Sequence, residues 1–247
     1  MLKFFRKQSE KDAIPKNAIH MASYPRSGNT WVRRLVTDVI LQGEGFNTEA
    51  KLPIHQNNVI PIIRKNVGKY EIDPGISLTR PLIKTHDEYA TGLEYVFFYR
   101  DPTDCLVSYY HYKLRIEKQR EAVSKMGIDK FCRDTYPEWE SHFESYMLRA
   151  EALKFIFSYE ELLADTVKVL KEICSAAEVN WTDQIIEKAV ENQAFEKLSA
   201  MEESGEKAKK GKFFRKGSSG SGAEELAEAT YQEIQGKRAL LLQRFGR

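Results

Sequence analysis

Short apolar runs alternate along this chain with stretches in which apolar side chains recur every three or four positions. The runs read as strands at Ala18–Ser23, Pro81–Lys84, Glu94–Tyr99 and Lys154–Ser158. Two of them, Tyr-Val-Phe-Phe-Tyr and Phe-Ile-Phe, are continuous, the pattern of strands covered on both faces. Helical spacing begins just after Ser27-Gly28-Asn29-Thr30, where Trp31, Leu35 and Val39 recur beside Val32, Val36 and Ile40. It returns with Val167, Leu170, Ile173 and Cys174 after Asp165, a residue type suited to an N-cap. Strands and helices in alternation predict an α/β fold of three layers, with a central, mainly parallel sheet flanked by helices.

Two stretches break the alternation. Residues 44–80, with several Gly and Pro, read as an irregular excursion. Residues 199–222 run from Ser-Ala-Met-Glu-Glu-Ser-Gly through a Lys-rich stretch to Ser-Ser-Gly-Ser-Gly. They suit a flexible surface loop and equally a basic lid over an anionic ligand. No internal repeat is visible, and residues 1–247 read as a single domain, with 1–16 a flexible N-terminal segment. That segment carries Phe4, Phe5 and five Lys or Arg but no apolar run of a leader peptide.

Composition narrows the class. A hydrophobic content of 42% with 11% aromatics is enough to bury a core. A net charge of +2 gives no general case for nucleic-acid binding, so the placement of the basic residues matters more than their number. Cys105, Cys132 and Cys174 are widely spaced and odd in number, which offers neither a disulfide framework nor a zinc spacing and fits a cytoplasmic protein. No stretch approaches the roughly 20 apolar residues of a membrane span.

Chemistry concentrates in four segments. Ser23-Tyr24-Pro25-Arg26-Ser27-Gly28-Asn29-Thr30-Trp31 lies between a predicted strand and helix, where unpaired backbone N–H groups and the positive end of the helix dipole form a phosphate cradle. It is not a Walker A loop, because GxxxxGK[ST] is absent and the basic residue precedes the glycine. Pro81-Leu82-Ile83-Lys84-Thr85-His86-Asp87 brings a lysine and a histidine to a strand end. A strand-end Arg100 is followed eight positions later by Ser108, and Arg215-Lys216-Gly217-Ser218-Ser219-Gly220 forms a basic, glycine-bearing run near the C-terminus. Taken singly, each has an ordinary structural reading: a capped turn, a buried strand-end histidine, an Arg100 ion pair with Asp101 or Asp104, a surface charge run.

In this order the four resemble the signatures of the cytosolic-type sulfotransferase family, in particular its short, bacterial-like members, over about residues 18 to 222. Tyr24-Pro-Arg-Ser-Gly-Asn-Thr-Trp is similar to the family's 5′-phosphosulfate loop Tyr-Pro-Lys-Ser-Gly-Thr-Thr-Trp, with Arg26 for Lys and Asn29 for Thr. The resemblance implies a P-loop-like fold, 3′-phosphoadenosine 5′-phosphosulfate (PAPS) as donor and adenosine 3′,5′-bisphosphate (PAP) as product, with no metal. It implies that Arg26, Ser27, Gly28, Asn29 and Thr30 hold the 5′-phosphate, and that Arg100, Ser108, Arg215, Lys216 and Gly217 hold the 3′-phosphate. Trp31, Tyr159 and Phe195 would lie by the adenine. His86 would be the base, with Lys84 and Arg26 stabilising charge on the transferring and leaving groups. A neutral imidazole with an ordinary pKa near ~6.5 suits removal of an acceptor proton.

The family's Leu-Pro after this histidine is replaced by Asp87-Glu88, and the residues after Gly220 depart from its pattern. The acceptor, a small molecule, glycan or lipid bearing a hydroxyl or amine, is left open, as is oligomeric state; no nucleic-acid partner is expected. Tyr136, Trp139, Phe143 and Tyr146 could wall a pocket or form an ordinary helix core face. Two rival readings stand: an ATP-dependent kinase on a related scaffold, and a nucleotide-binding adaptor without catalysis.

Overall fold

The computed structural model describes residues 14–62, 72–194, 197–199 and 219–247. Four strands, β1 (Ile19–Ala22), β2 (Leu82–Thr85), β3 (Glu94–Tyr99) and β4 (Leu153–Ser158), form a parallel sheet in the order β2-β1-β3-β4. Each lies within a residue of its predicted bounds. The helices are α1 (Asn29–Gly43), α2 (Pro102–Leu114), α3 (Glu117–Met126), α4 (Ile128–Met147), α5 (Tyr159–Ala164), α6 (Thr166–Ala176), α7 (Asp183–Asn192), α8 (Ser221–Glu225) and α9 (Glu228–Arg244).

Side chains alternate across a strand, and here both faces are apolar. Ile19, Met21, Val96, Phe98 and Phe157 enter one core with the apolar stripes of α1, α6 and α7. Ala22, Tyr95, Phe97 and Tyr99 enter a second core with α2, α4 and α9. Two cores on opposite faces of one sheet make the three predicted layers. In the second, Phe97 stacks on Tyr146 with ring centres 4.2 Å apart, and Trp139 stacks on Phe143 at 5.4 Å. Tyr136, Trp139, Phe143 and Tyr146 are all fully buried, so this stripe of α4 is a core face.

Local capping follows the sequence. Asp165 accepts from the backbone of Lys168 at the start of α6, as predicted, and Ser158 with Glu161 completes a capping box on α5. Among its described residues, the irregular excursion after α1 contains a short helical turn at Gln56–Asn58. The buried Arg33 guanidinium donates to the Gln56 and Ile60 carbonyls and to Asn57 Oδ1, tying that turn to α1. Most of 199–222 lies outside the described residues, but its end is ordered, with Ser221 and Gly222 opening α8.

Phe97→Ala should cost about 3–5 kcal/mol by opening a cavity under Tyr146. Asp165→Ala should cost about 1 kcal/mol through lost capping. Urea unfolding of both variants measures the difference.

Candidate active site

Parallel strands discharge their chains at one edge of the sheet. β1 leads into Ser23, β2 into His86, β3 into Arg100 and β4 into Tyr159. The chain crosses from β1 to β2 on one side and later to β3 on the other, so the crevice between β1 and β3 is a topological switch point, where open α/β sheets bind ligands.

The loop after β1 is shaped by two left-handed residues, Arg26 at φ 75° and Gly28 at φ 92°. Gly28 is required twice over. Its backbone favours glycine, and a Cβ there would sit 2.5 Å from the Tyr159 ring. As N-cap of α1, Gly28 provides no side-chain acceptor, so its own side chain does not cap the first-turn N–H groups. Ser27 and Asn29 serve the loop from within. Ser27 Oγ is buried 3.6 Å from Cys105 Sγ, while that thiol reaches the Pro25 carbonyl at 3.2 Å. Asn29 Nδ2 donates to Ser23 Oγ at 3.0 Å, and Asn29 Oδ1 is buried with no hydrogen-bond partner among the described residues. Thr30 stays partly exposed beside them.

Arg26 Nε donates to Ser108 Oγ at 3.1 Å, with the guanidinium 5.3 Å from the centre of the Tyr112 ring. The loop after β1 and the helix carrying Ser108 therefore meet directly. Burial lowers Arg26 to about 10, and the positive charges of Arg100 and Arg115 push in the same direction, so it stays charged at neutral pH. Arg100 lies over the Tyr159 ring at 4.6 Å and 3.6 Å from Asp104. Gathered guanidinium groups in a half-buried crevice fit a ligand with several negative charges. The cluster and the glycine that lets the loop pass the Tyr159 ring together suit a ligand carrying more than one phosphate.

Trp31 is buried edge-on to Tyr159, its indole N–H donating to the Gln193 carbonyl at 2.8 Å. Gln193 is itself held by Asp38 at 2.5 Å and by Arg34 at 2.8 Å. The Trp31–Tyr159 pair sits beside Gly28. Phe195, Arg215, Lys216 and Gly217 lie outside the described residues.

Lys84 and His86 leave β2 next to β1. Lys84 is buried, and its register partner is Met21. His86 Nδ1 lies 2.6 Å from the Ser23 carbonyl oxygen. A carbonyl only accepts, so Nδ1 carries the proton and Nε2 is the basic nitrogen. From α4, Tyr146 donates to the Asp87 carbonyl at 2.8 Å. Buried His142 packs beside Tyr24, Phe97 and Tyr146. These supports escape sequence reading, as does the Cys105 brace under the loop, because each is made by an element distant in the chain. His111 lies 2.6 Å from Glu225 and packs α2 against α8, away from His86.

A family model described as sulfotransferase domain matches residues 16–239. Flavonol 3-sulfotransferase of Flaveria bidentis is 29% identical over 75% of this chain, which spans 66% of that relative's length, just under two thirds. Among solved structures, mouse sulfotransferase SULT7A1 complexed with PAP superposes with a TM-score of 0.62 at 16% identity, covering 95% of this chain and 90% of that one. Retinol dehydratase in complex with androsterone and PAP gives a TM-score of 0.63 at 18% identity, covering 94% and 82%. At these identities the structures establish a shared fold.

The surroundings of His86 carry a pH signature. Burial pushes His142 down to about 4 from its ordinary 6.5, against the raising effect of the Asp87 and His86 carbonyls. The unfolded chain then takes up the proton first, so the stabilisation is complete above pH 6.5 and drains as pH falls towards 4, to a total of about 3 kcal/mol. Urea titrations across this range should show a flatter slope in His142→Gln. An unchanged slope would place the dependence elsewhere, first at His20, which burial also lowers.

Proposed function

Since this chain belongs to the sulfotransferase domain family, we propose that it transfers the sulfuryl group of PAPS to a hydroxyl or amine of a small organic acceptor. The observation that carries this reading is the meeting, at one sheet edge, of the 5′-loop, the Arg26–Ser108 pair and His86 with its Nδ1 bonded to Ser23. The names of the relatives, flavonol and steroid enzymes among them, support a small-molecule acceptor over a macromolecular one. No helix among the described residues is long and apolar enough to cross a membrane, and we assign the reaction to the cytoplasm and to a single domain.

When bound, PAPS supplies an activated sulfur whose bridging oxygen departs with the 5′-phosphate of PAP. His86 Nε2 takes the acceptor proton as the acceptor atom attacks sulfur, and the bond pair to the bridging oxygen leaves with PAP. The Ser23 carbonyl holds the imidazole in the tautomer that can do this. Lys84 and Arg26 offset the charge that builds on the transferring and leaving groups, so the work is positioning and electrostatics. The backbone of residues 27–30 holds the 5′-phosphate, Arg100 and Ser108 take the 3′-phosphate together with Arg215, Lys216 and Gly217, and Trp31, Tyr159 and Phe195 border the adenine.

PAP should bind at least tenfold more tightly than AMP, because the 3′-phosphate contacts are charge-assisted. Calorimetry with both nucleotides checks it, and equal affinities overturn the 3′-phosphate assignment. His86→Ala should lower single-turnover transfer of labelled sulfate by about 10²-fold or more, with PAP affinity and melting temperature little changed. His111→Ala, which removes the contact to Glu225, should instead lower the melting temperature first. Near-native turnover in His86→Ala would assign proton removal to another group. Tight PAP binding with no transfer to any acceptor would favour the adaptor reading.

A further inference from the structure

We propose that Asp104 is a positioning residue for the 3′-phosphate side of the site, one carboxylate that fixes both Arg100 and the chain entering α8. This rests on the reading of that site given above. Asp104 stands in the first turn of α2, 2% exposed, where the helix dipole favours a negative charge. Its Oδ2 accepts from the Gly220 N–H and its Oδ1 from the Gly222 N–H, both at 2.8 Å. Arg100 Nη2 stands 3.6 Å from the same Oδ2. Both oxygens are thus engaged by a single short segment, and one of them also faces the strand-end arginine.

The packing around the carboxylate is equally committed. A Cβ on Gly222 would fall 2.2 Å from Thr103 Oγ1, so only glycine lets α8 come this close to α2. Gly220 adopts φ 104°, a left-handed turn that delivers its N–H to Asp104. Asp101, which caps α2, also receives Gln235 from α9 at 2.9 Å, so the region after α8 closes on the same helix end. A buried carboxylate with both oxygens occupied is costly to misplace. It therefore locks two things together: the guanidinium that meets the 3′-phosphate, and the C-terminal end of the Arg215–Gly220 run. The pattern is invisible along the chain, since Asp104 and Gly220 are far apart in sequence and Arg100–Asp104 alone looks like an ordinary i,i+4 pair.

A merely structural Asp104 would affect all ligands alike, whereas a positioning Asp104 acts through the 3′-phosphate. The test measures PAP and AMP affinities by calorimetry, with melting temperatures, for the unmutated protein, Asp104→Asn and Gly222→Ala. Asp104→Asn keeps the shape but loses the charge and one acceptor, and Gly222→Ala displaces α8 through a different atom. Both should weaken PAP about tenfold or more and leave AMP within about twofold, collapsing the preference for the 3′-phosphate. Parallel losses for PAP and AMP, or PAP affinity unchanged in both variants, would overturn the proposal while leaving the 3′-phosphate reading intact. An unmutated protein that does not prefer PAP would overturn that reading and this inference with it.

Discussion

The parallel pairing of β1 between β2 and β3 is the constraint on which the site depends. Ala22 stands opposite Thr85 on one side and Phe97 on the other, so the three chains leave the sheet at nearly the same height. Only in this register does His86, one residue past β2, reach back to the carbonyl of Ser23, one residue past β1. A slip of one residue would move β2 by about 3.3 Å and send its side chains to the opposite faces. In β2 that slip would take Leu82 out of the core it shares with Ile19 and Met21, and this packing opposes it. The geometry proposed for catalysis is thus inherited from packing that has no chemical role of its own.

The site built on this edge is electrostatically expensive. Burial disfavours the charge on Arg26, and the positive charges of Arg100 and Arg115 add to that cost. The protein offsets part of it with soft partners: the Tyr112 ring under Arg26, the Tyr159 ring under Arg100, and Asp104 nearby. Full neutralisation would remove the attraction for a ligand. A residual repulsion that an incoming polyanion relieves is what a phosphate-binding crevice needs, and the left-handed Arg26 is local strain of the kind found at such places.

The strands were legible because continuous aromatic and aliphatic runs leave few alternatives, and α1 and α6 because their apolar periods follow a glycine turn and an N-cap aspartate. Arg26, Gly28, His86, Arg100 and Ser108 were legible as candidates because each sits at a strand end or one turn into the next helix. The chain's own pattern could not reveal what supports them. Tyr146 reaches the backbone after β2 from α4, Cys105 braces the loop from α2, and Gln193 carries the indole N–H of Trp31 from beyond α7. These contacts depend on how layers stack, which periodicity within one element does not encode. Ser27 and Asn29 have their side chains buried within the loop, a placement that no pattern along the chain encodes.

That inward turn changes the weight of the one charged residue in the loop. With Ser27 and Asn29 occupied by Cys105 and Ser23, Arg26 is the loop's charged contribution to the crevice. Its planar fork keeps Nε on Ser108 while the terminal nitrogens point elsewhere, and the flat face rests against Tyr112. A lysine carries its three donors on one nitrogen and has no flat face to rest against Tyr112. Arginine at this position therefore holds the loop to α2, joining the two segments proposed to bind phosphate into one unit. Movement of α2, which also carries Asp104 and its hold on α8, would then be felt at once in the 5′-loop.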